Sequence, residues 1–89
     1  MTIWKFCLEV TDYQCLDMPR GAHLLSVQTQ DGVPQLWAIV DPSAVKENRF
    51  ILTVGTGNPM PAGCGSFLGT YQLYLGKQVY HVFEGLPLT

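Results

Sequence analysis

The feature that most constrains the fold is an Asp-Gly pair between two strand-like segments. AHLLSVQTQ, residues 22–30, precedes Asp31-Gly32, and VPQLWAIVD, residues 33–41, follows it. Asp-Gly suits a type I′ turn, because both central residues of that turn need a positive φ. The sequence therefore predicts an antiparallel β-hairpin, with Leu25, Val27 and Thr29 sharing one face of its first arm.

The second arm of this hairpin is apolar on both faces. Trp37 and Ile39 alternate with three aliphatic side chains. A strand of this kind is expected in the centre of a sheet or at an interface. Pro34 has no N–H to donate to a neighbouring strand, so it is expected at a strand start or on an edge.

Alternation and turn residues predict the rest of the strands. In the first segment Trp4, Phe6, Leu8 and Val10 are expected on one face. Ser43 to Glu47 can form at most one helical turn, and Gly76-Lys77 fits a two-residue type II′ turn between the last two strands. The predicted strand segments are TIWKFCLEV (2–10), YQCLDM (13–18), RFILTVGT (49–56), SFLGTYQLYL (66–75) and QVYHVFE (78–84).

These segments predict the fold class. We expect a single all-β domain over residues 1–89, with 85–89 as a loose tail. Short turns between neighbouring strands favour a small antiparallel meander of about seven strands that forms a sandwich or a barrel.

The composition narrows the classes of partner. Hydrophobic residues make up 47% of the 89 residues and charged residues 13%, against about 25% charged in ordinary soluble domains. An apolar excess in so short a chain favours self-association, so a homo-oligomer is expected. The net charge of -2 with scattered cations argues against non-specific nucleic-acid binding, but a small anionic ligand needs only one or two cations. No apolar run approaches the ~20 residues that span a membrane, and no signal peptide is expected.

The motifs that carry chemistry are missing from the sequence. Cys7, Cys15 and Cys64 form no CxxC pair, so we expect free thiols in a reducing cytoplasm and no metal site. There is no GxSxG, HExxH or paired-carboxylate pattern. His81 and Glu84 lie three apart in a strand and so point to opposite faces, which favours a hydrogen-bonded core or interface histidine. The sequence predicts no enzyme, no catalytic residue and no cofactor.

The glycine-rich stretch VGTGNPMPAGCG, residues 54–65, is the main candidate for a ligand site. It lacks the Gly-Lys-Ser/Thr end of a phosphate-binding loop, and no helix follows it. Two readings stay open: a bend at Gly55–Gly57 with an exposed loop between strands ending at Val54 and starting at Phe67, or a ligand contact.

In the second reading the ligand would meet Gly55, the backbone amides of Thr56, Gly57 and Asn58, and the Thr56 hydroxyl. Trp37 is the best-placed aromatic side chain for stacking and Arg20, at a turn tip, the best-placed cation. On this second hypothesis these residues would meet in a pocket at a subunit interface.

A set of segments resembles a family of short, uncharacterised proteins encoded by phages and prophages. The segments are IWKF (3–6), MPRGAHLLSVQTQDG (18–32), LWAIVDP (36–42), VGTGNP (54–59) and HVFE (81–84). The resemblance covers nearly the whole chain and implies no catalytic residues. Family members often carry His after Gly-Thr-Gly, whereas this chain has Asn58, so the resemblance implies no imidazole at that position.

The resemblance implies a phage accessory protein that acts by binding in the host cytoplasm. We expect a counter-defence protein, and in its sharper form one that sequesters a small nucleotide-type immune signal of the host. The alternatives are a direct protein–protein inhibitor of a host defence complex, in the manner of an anti-CRISPR protein, and a minor virion or assembly component.

Overall fold

A computed structural model describes residues 1–86 as seven β-strands in two sheets. The front sheet has the order β1-β4-β3 and the back sheet the order β2-β5-β7-β6, with every pair antiparallel. The predicted all-β class with about seven strands is confirmed, in the sandwich form. The strands are β1 (Thr2–Cys7), β2 (Tyr13–Pro19), β3 (His23–Gln30), β4 (Val33–Val40), β5 (Lys46–Gly55), β6 (Cys64–Leu73) and β7 (Gln78–Gly85).

The connections between strands are less local than the turn signals suggested. Only β3–β4 and β6–β7 join consecutive strands that are neighbours in a sheet. β5 and β6 run in the same direction, because both are antiparallel to β7, which lies between them. The loop 56–63 is therefore a crossover past β7. The strand bounds predicted at Val54 and Phe67 were wrong: β5 continues to Gly55, and β6 already begins at Cys64.

The Asp-Gly hairpin is formed by β3 and β4. Asp31 has φ 52° and Gly32 φ 77°, the two positive values that the turn needs. β4 is the central strand of the front sheet, with Pro34 as its second residue, as predicted. The face predicted for Leu25 was wrong: the register shifts between Leu24 and Ser26, and Leu25 is 41% exposed.

The predicted turn at Gly76-Lys77 was wrong in length. β6 ends at Leu73 and β7 begins at Gln78, so the loop is Tyr74–Lys77. Tyr74, Leu75 and Gly76 have φ values of 53°, 57° and 83°, and Lys77 N donates to Tyr74 O at 3.1 Å. Two bulky residues therefore take a backbone conformation that ordinarily favours glycine.

The segment predicted as a single helical turn, Ser43 to Glu47, contains no helix. The Ser43 backbone N–H and hydroxyl donate to Asp41 Oδ1 at 3.0 and 2.7 Å, and Ala44 N donates to Asp41 O at 3.1 Å. The hydrogen bonds from Ser43 lower the pKa of Asp41. Asp41 closes a tight turn, and β5 starts at Lys46.

The core lies between the two sheets and takes side chains from both. Trp4 and Phe6 pack against it and Leu8 belongs to it, as predicted, but Val10 lies beyond β1 and is 48% exposed. The buried cluster consists of Leu8, Met18, Ala22, Val27, Leu36, Ala38, Val40, Ile51, Tyr71 and Val82.

The tail predicted to be loose, 85–89, is ordered at its first residue, Gly85. Gly85 is buried and ends β7, and Leu86 N donates to Gly63 O at 2.8 Å. The remainder of the predicted tail, 87–89, lies outside the described residues. Within 1–86 there is no helix that is long and apolar enough to cross a membrane.

Candidate functional site

The candidate site is built on a tight turn at the end of β5. Asn58 N donates to Gly55 O at 3.1 Å, and Gly57 has φ 91°, so the predicted bend is confirmed. The Asn58 side chain folds over Gly55: a Cβ built on Gly55 would lie 3.0 Å from Asn58 Nδ2. Thr56 N is also occupied, since it donates to Val79 O at 3.2 Å. Of the amides predicted to meet a ligand, only that of Gly57 has no hydrogen-bond partner within the described chain.

A histidine fixes this turn to the back sheet. His81 Nε2 lies 2.7 Å from Thr56 Oγ1, and His81 Nδ1 lies 3.0 Å from Thr70 Oγ1. Register explains the arrangement, because His81 on β7 is paired with Val54 on β5 and with Thr70 on β6. The predicted hydrogen-bonded histidine is confirmed, half-buried on the outer face of the back sheet.

The Thr56–His81 contact has the length of a hydrogen bond between a nucleophile and its base. The neighbouring groups instead favour a structural role, in which His81 holds the turn against the back sheet. Thr56 Oγ1 also donates to Val79 O at 3.4 Å. With the His81 proton on Nε2, Thr56 accepts from the ring while Thr70 donates to Nδ1, so each hydrogen-bonding group is satisfied. The orienting group on Nδ1 is then a neutral hydroxyl and not the carboxylate of a catalytic triad. Glu84 lies on the opposite face, as predicted, and its carboxylate meets Arg49 at 2.6 Å.

Three neighbouring depressions meet at Gly55 and Asn58. The first has a volume of about 360 Å³ and contains Lys77 and Tyr80. The second, also about 360 Å³, lies on the other side of the turn, and the third is a smaller one of about 170 Å³. The first is lined by Gly55, Thr56, Asn58, Lys77, Gln78, Val79 and Tyr80.

The two sides of the turn differ in charge. Lys77 lies on the side of the first depression, whereas Asp12 lines the second and third. Thr53 lines the same two depressions as Asp12; it is 5% exposed, and its hydroxyl has no hydrogen-bond partner among residues 1–86. A negative charge is therefore attracted on the Lys77 side of the turn and repelled on the Asp12 side.

A single chain does not bring together the residues predicted as one pocket. Arg20 N donates to Val45 O, beside the first residue of β5, whereas Gly55 is the last. Those ends are ~30 Å apart at the rise of an extended strand. The Arg20 side chain is 69% exposed and 3.8 Å from Glu47. Trp37 lies on the front sheet, paired with Lys5. A pocket with all of these residues would need a second copy of the chain.

Lys77 and Tyr80 are the site residues that the sequence reading missed. Gly55 is paired with Tyr80, and this pairing brings the start of β7 beside the turn. The sequence predicts Lys77 in a hairpin turn, but no local pattern shows that this turn lies beside the bend at Gly55. The Tyr80 hydroxyl donates to Gln78 Oε1 at 2.9 Å, which leaves the Gln78 amide nitrogen free to donate.

Tyr71 packs against Tyr80, and its buried hydroxyl predicts how the stability of the fold depends on pH. The ring centroids are 5.4 Å apart, and the Tyr71 hydroxyl is buried with no hydrogen-bond partner in the described chain. Burial, with a smaller contribution from the charge of Tyr80, raises the pKa of Tyr71 from 10.0 to about 12. The unfolded chain therefore ionises first, so stability is full below pH 10 and falls as the pH rises towards 12.

We expect Tyr71→Phe to flatten this alkaline loss and, at neutral pH, to raise the free energy of unfolding by ~1 kcal/mol, because an unpaired buried hydroxyl is removed. Urea unfolding followed across the alkaline range measures both effects. Tyr74→Phe, at an exposed position, is the control and should keep the loss. If the Tyr71→Phe protein loses stability at alkaline pH as steeply as the parent, Tyr71 is not the source of the loss.

Among residues 1–86, no group of three or more His, Cys, Asp or Glu side chains is placed to hold a metal ion. The fold and the site define a small β-sandwich protein with an open concavity where β5 ends and β7 begins. A family model matches residues 1–87, and the chain belongs to that family, described as domain of unknown function DUF7352. No curated protein and no solved structure matches the chain.

Proposed function

We propose that this protein is a non-catalytic binding protein, and that its ligand is a small phosphorylated molecule of nucleotide type. The observation that carries the proposal is the first depression, where a cation, an aromatic ring and a glycine turn line one concavity of about 360 Å³. That volume lies in the lower part of the ~300–1,000 Å³ range of small-molecule pockets.

The chemistry of the lining supports this ligand class. The Lys77 ammonium is a compact charge that suits a phosphate. The N–H of Gly57, which has no hydrogen-bond partner within the described chain, is a further donor in the turn that borders this depression. The carboxamides of Asn58 and Gln78 offer donors to a sugar or a base. The Tyr80 ring offers an apolar surface to a base.

The biological setting is part of the same proposal. The resemblance to phage and prophage proteins supports an accessory protein that acts in the host cytoplasm against a host defence. Sequestration of a nucleotide-type immune signal fits a protein with a binding concavity and with His81 used as an anchor for the turn.

Isothermal titration against cyclic dinucleotides, ADP-ribose-type molecules and mononucleotides tests the proposal. We expect binding of at least one member, weakened about tenfold or more by Lys77→Ala, because a charge-assisted contact is lost. Lys46→Ala, at the opposite end of β5, is the matched control and should bind like the parent. No heat from any member, or an equal loss with both variants, would overturn the ligand assignment.

Direct inhibition of a host defence complex is the second candidate, and one observation favours it. Tyr74 is 69% and Leu75 103% exposed at the tip of the β6–β7 loop, beside a groove of about 490 Å³. Their positive φ values cost about 1 kcal/mol each, a strain typical of functional loops. A stoichiometric protein captured from host lysate by the parent, and lost with Leu75→Ser, would support inhibition over ligand sequestration.

A further inference from the structure

Apolar side chains form a continuous row on the outer face of the back sheet, the face turned away from the front sheet. In register, Tyr13 is paired with Leu52, Leu52 with Phe83, and Phe83 with Phe67. Paired residues in an antiparallel sheet share a face, so this apolar row crosses β2, β5, β7 and β6 without a break. Antiparallel sheets that face water on one side ordinarily carry polar residues there.

Aromatic packing closes the row at both ends. The Tyr13 ring stacks on Phe50, with centroids 5.8 Å apart, and Phe67 meets Phe83 edge-on at 5.4 Å. Leu52, in the middle, is only 6% exposed, whereas Phe67 is 59% and Tyr13 36% exposed. The exposed apolar surface is therefore concentrated on the rings at the two edges of the sheet.

Charge on this face selects the kind of partner. The register places Asp17 and Lys46 there, both at the end of the face where β5 begins. The apolar row and the residues of β7 and β6 that share its face carry no Asp, Glu, Lys or Arg. A strongly charged partner would find nothing to pair with, whereas a second copy of the same face meets it without repulsion.

The size of the face agrees with a reversible contact. Strands ~4.8 Å apart and ~3.3 Å of rise per residue give this face a flat area of roughly 400 Å². Two such faces bury roughly 800 Å² in total, which is below the ~1,200 Å² of standard specific interfaces and typical of weak association.

We propose that the outer face of the back sheet is a self-association surface, and that a second copy of the chain covers it in a two-fold symmetric, reversible dimer. The apolar rows of the two copies pack against each other, and the exposed rings of Phe67 and Tyr13 are covered. This dimer is independent of the ligand proposed above.

Sedimentation equilibrium of the full chain over a range of concentrations tests the dimer. We expect the average mass to rise from one chain towards two, and Phe67→Lys to weaken the association about tenfold or more, because a charge enters an apolar contact. Tyr13→Ser, at the other edge, should act in the same direction. Circular dichroism checks that both variants keep their strands.

Leu75→Lys is the matched control, because it places the same charge on an exposed apolar residue of a loop. It should leave the association unchanged. A chain that stays monomeric at all concentrations overturns the proposal. So does a dimer that folded Phe67→Lys and Tyr13→Ser variants leave intact, and a dimer broken by Leu75→Lys alone places the interface at the loop.

Discussion

Gly65→Ala is expected to lower the free energy of unfolding by about 3 kcal/mol or more, because an added Cβ makes a closer contact here than at any other glycine of the chain. A Cβ at Gly65 would lie 2.7 Å from the backbone oxygen of Glu84. That oxygen belongs to β7, so it cannot rotate away as a flexible side chain would. Relief of the clash must move β6 away from β7 at an irregular part of their register, between Cys64 and Phe67.

Urea unfolding of two control variants separates this clash from other effects of losing a glycine. Ser66→Ala changes the next residue, which is exposed, and should stay within about 0.5 kcal/mol of the parent. Gly21→Ala meets no atom within 4 Å but needs φ +79°, so it should cost about 1 kcal/mol through the backbone alone. A Gly65→Ala protein as stable as Gly21→Ala would show that the strands separate easily there.

A second glycine of β6 shows why the sequence could not give the packing of this strand. A Cβ at Gly69 would lie 3.1 Å from Val27 N and 3.2 Å from Val27 O, so the backbones of β6 and β3 approach closely where the two sheets meet. Gly69 was predicted as an ordinary member of the strand segment 66–75, and Gly65 as part of the glycine-rich loop before it. The close approach is a property of two strands that are distant in sequence, and no local pattern records it.

Features set by adjacent residues were predicted well. The Asp31-Gly32 pair is sufficient to predict the turn type, because few other residue pairs accept two successive positive φ values. The prediction that Trp4 and Phe6 share the inward face of β1 was also correct. The second hairpin shows the limit: Tyr74 and Leu75 adopt positive φ although both residues ordinarily avoid it, so propensity favoured a shorter turn at Gly76.

The candidate site was predicted in part for the same reason. The bend at Gly55–Asn58 is local and was found. Its neighbours depend on strand order, because Lys77 comes beside the bend only through the pairing of Gly55 with Tyr80. Arg20 was predicted as the cation of the site because it lies in an exposed turn. In the fold this turn lies at the start of β5 and the bend at its end, so the length of the strand separates them.

Arg49→Met is expected to lower the free energy of unfolding by about 2 kcal/mol, because it breaks a half-buried, two-point ion pair. Arg49 Nε and Nη2 donate to the two Glu84 oxygens at 2.6 and 3.2 Å, and Nη1 donates to Ala22 O at 2.9 Å. The Glu84 hydrogen bond raises the pKa of Arg49 and burial opposes it, so the guanidinium stays charged wherever the protein is folded.

Arg20→Met is the matched control for this pair. Arg20 lies 3.8 Å from Glu47 with its side chain 69% exposed, so its loss should cost less than about 0.5 kcal/mol. Combining Arg49→Met with Glu84→Gln should cost about 1 kcal/mol less than the sum of the single changes, because the second change removes the charge that the first leaves unpaired. Strictly additive costs in urea unfolding would mean that Arg49 stabilises the fold through its contact with Ala22 and not through Glu84.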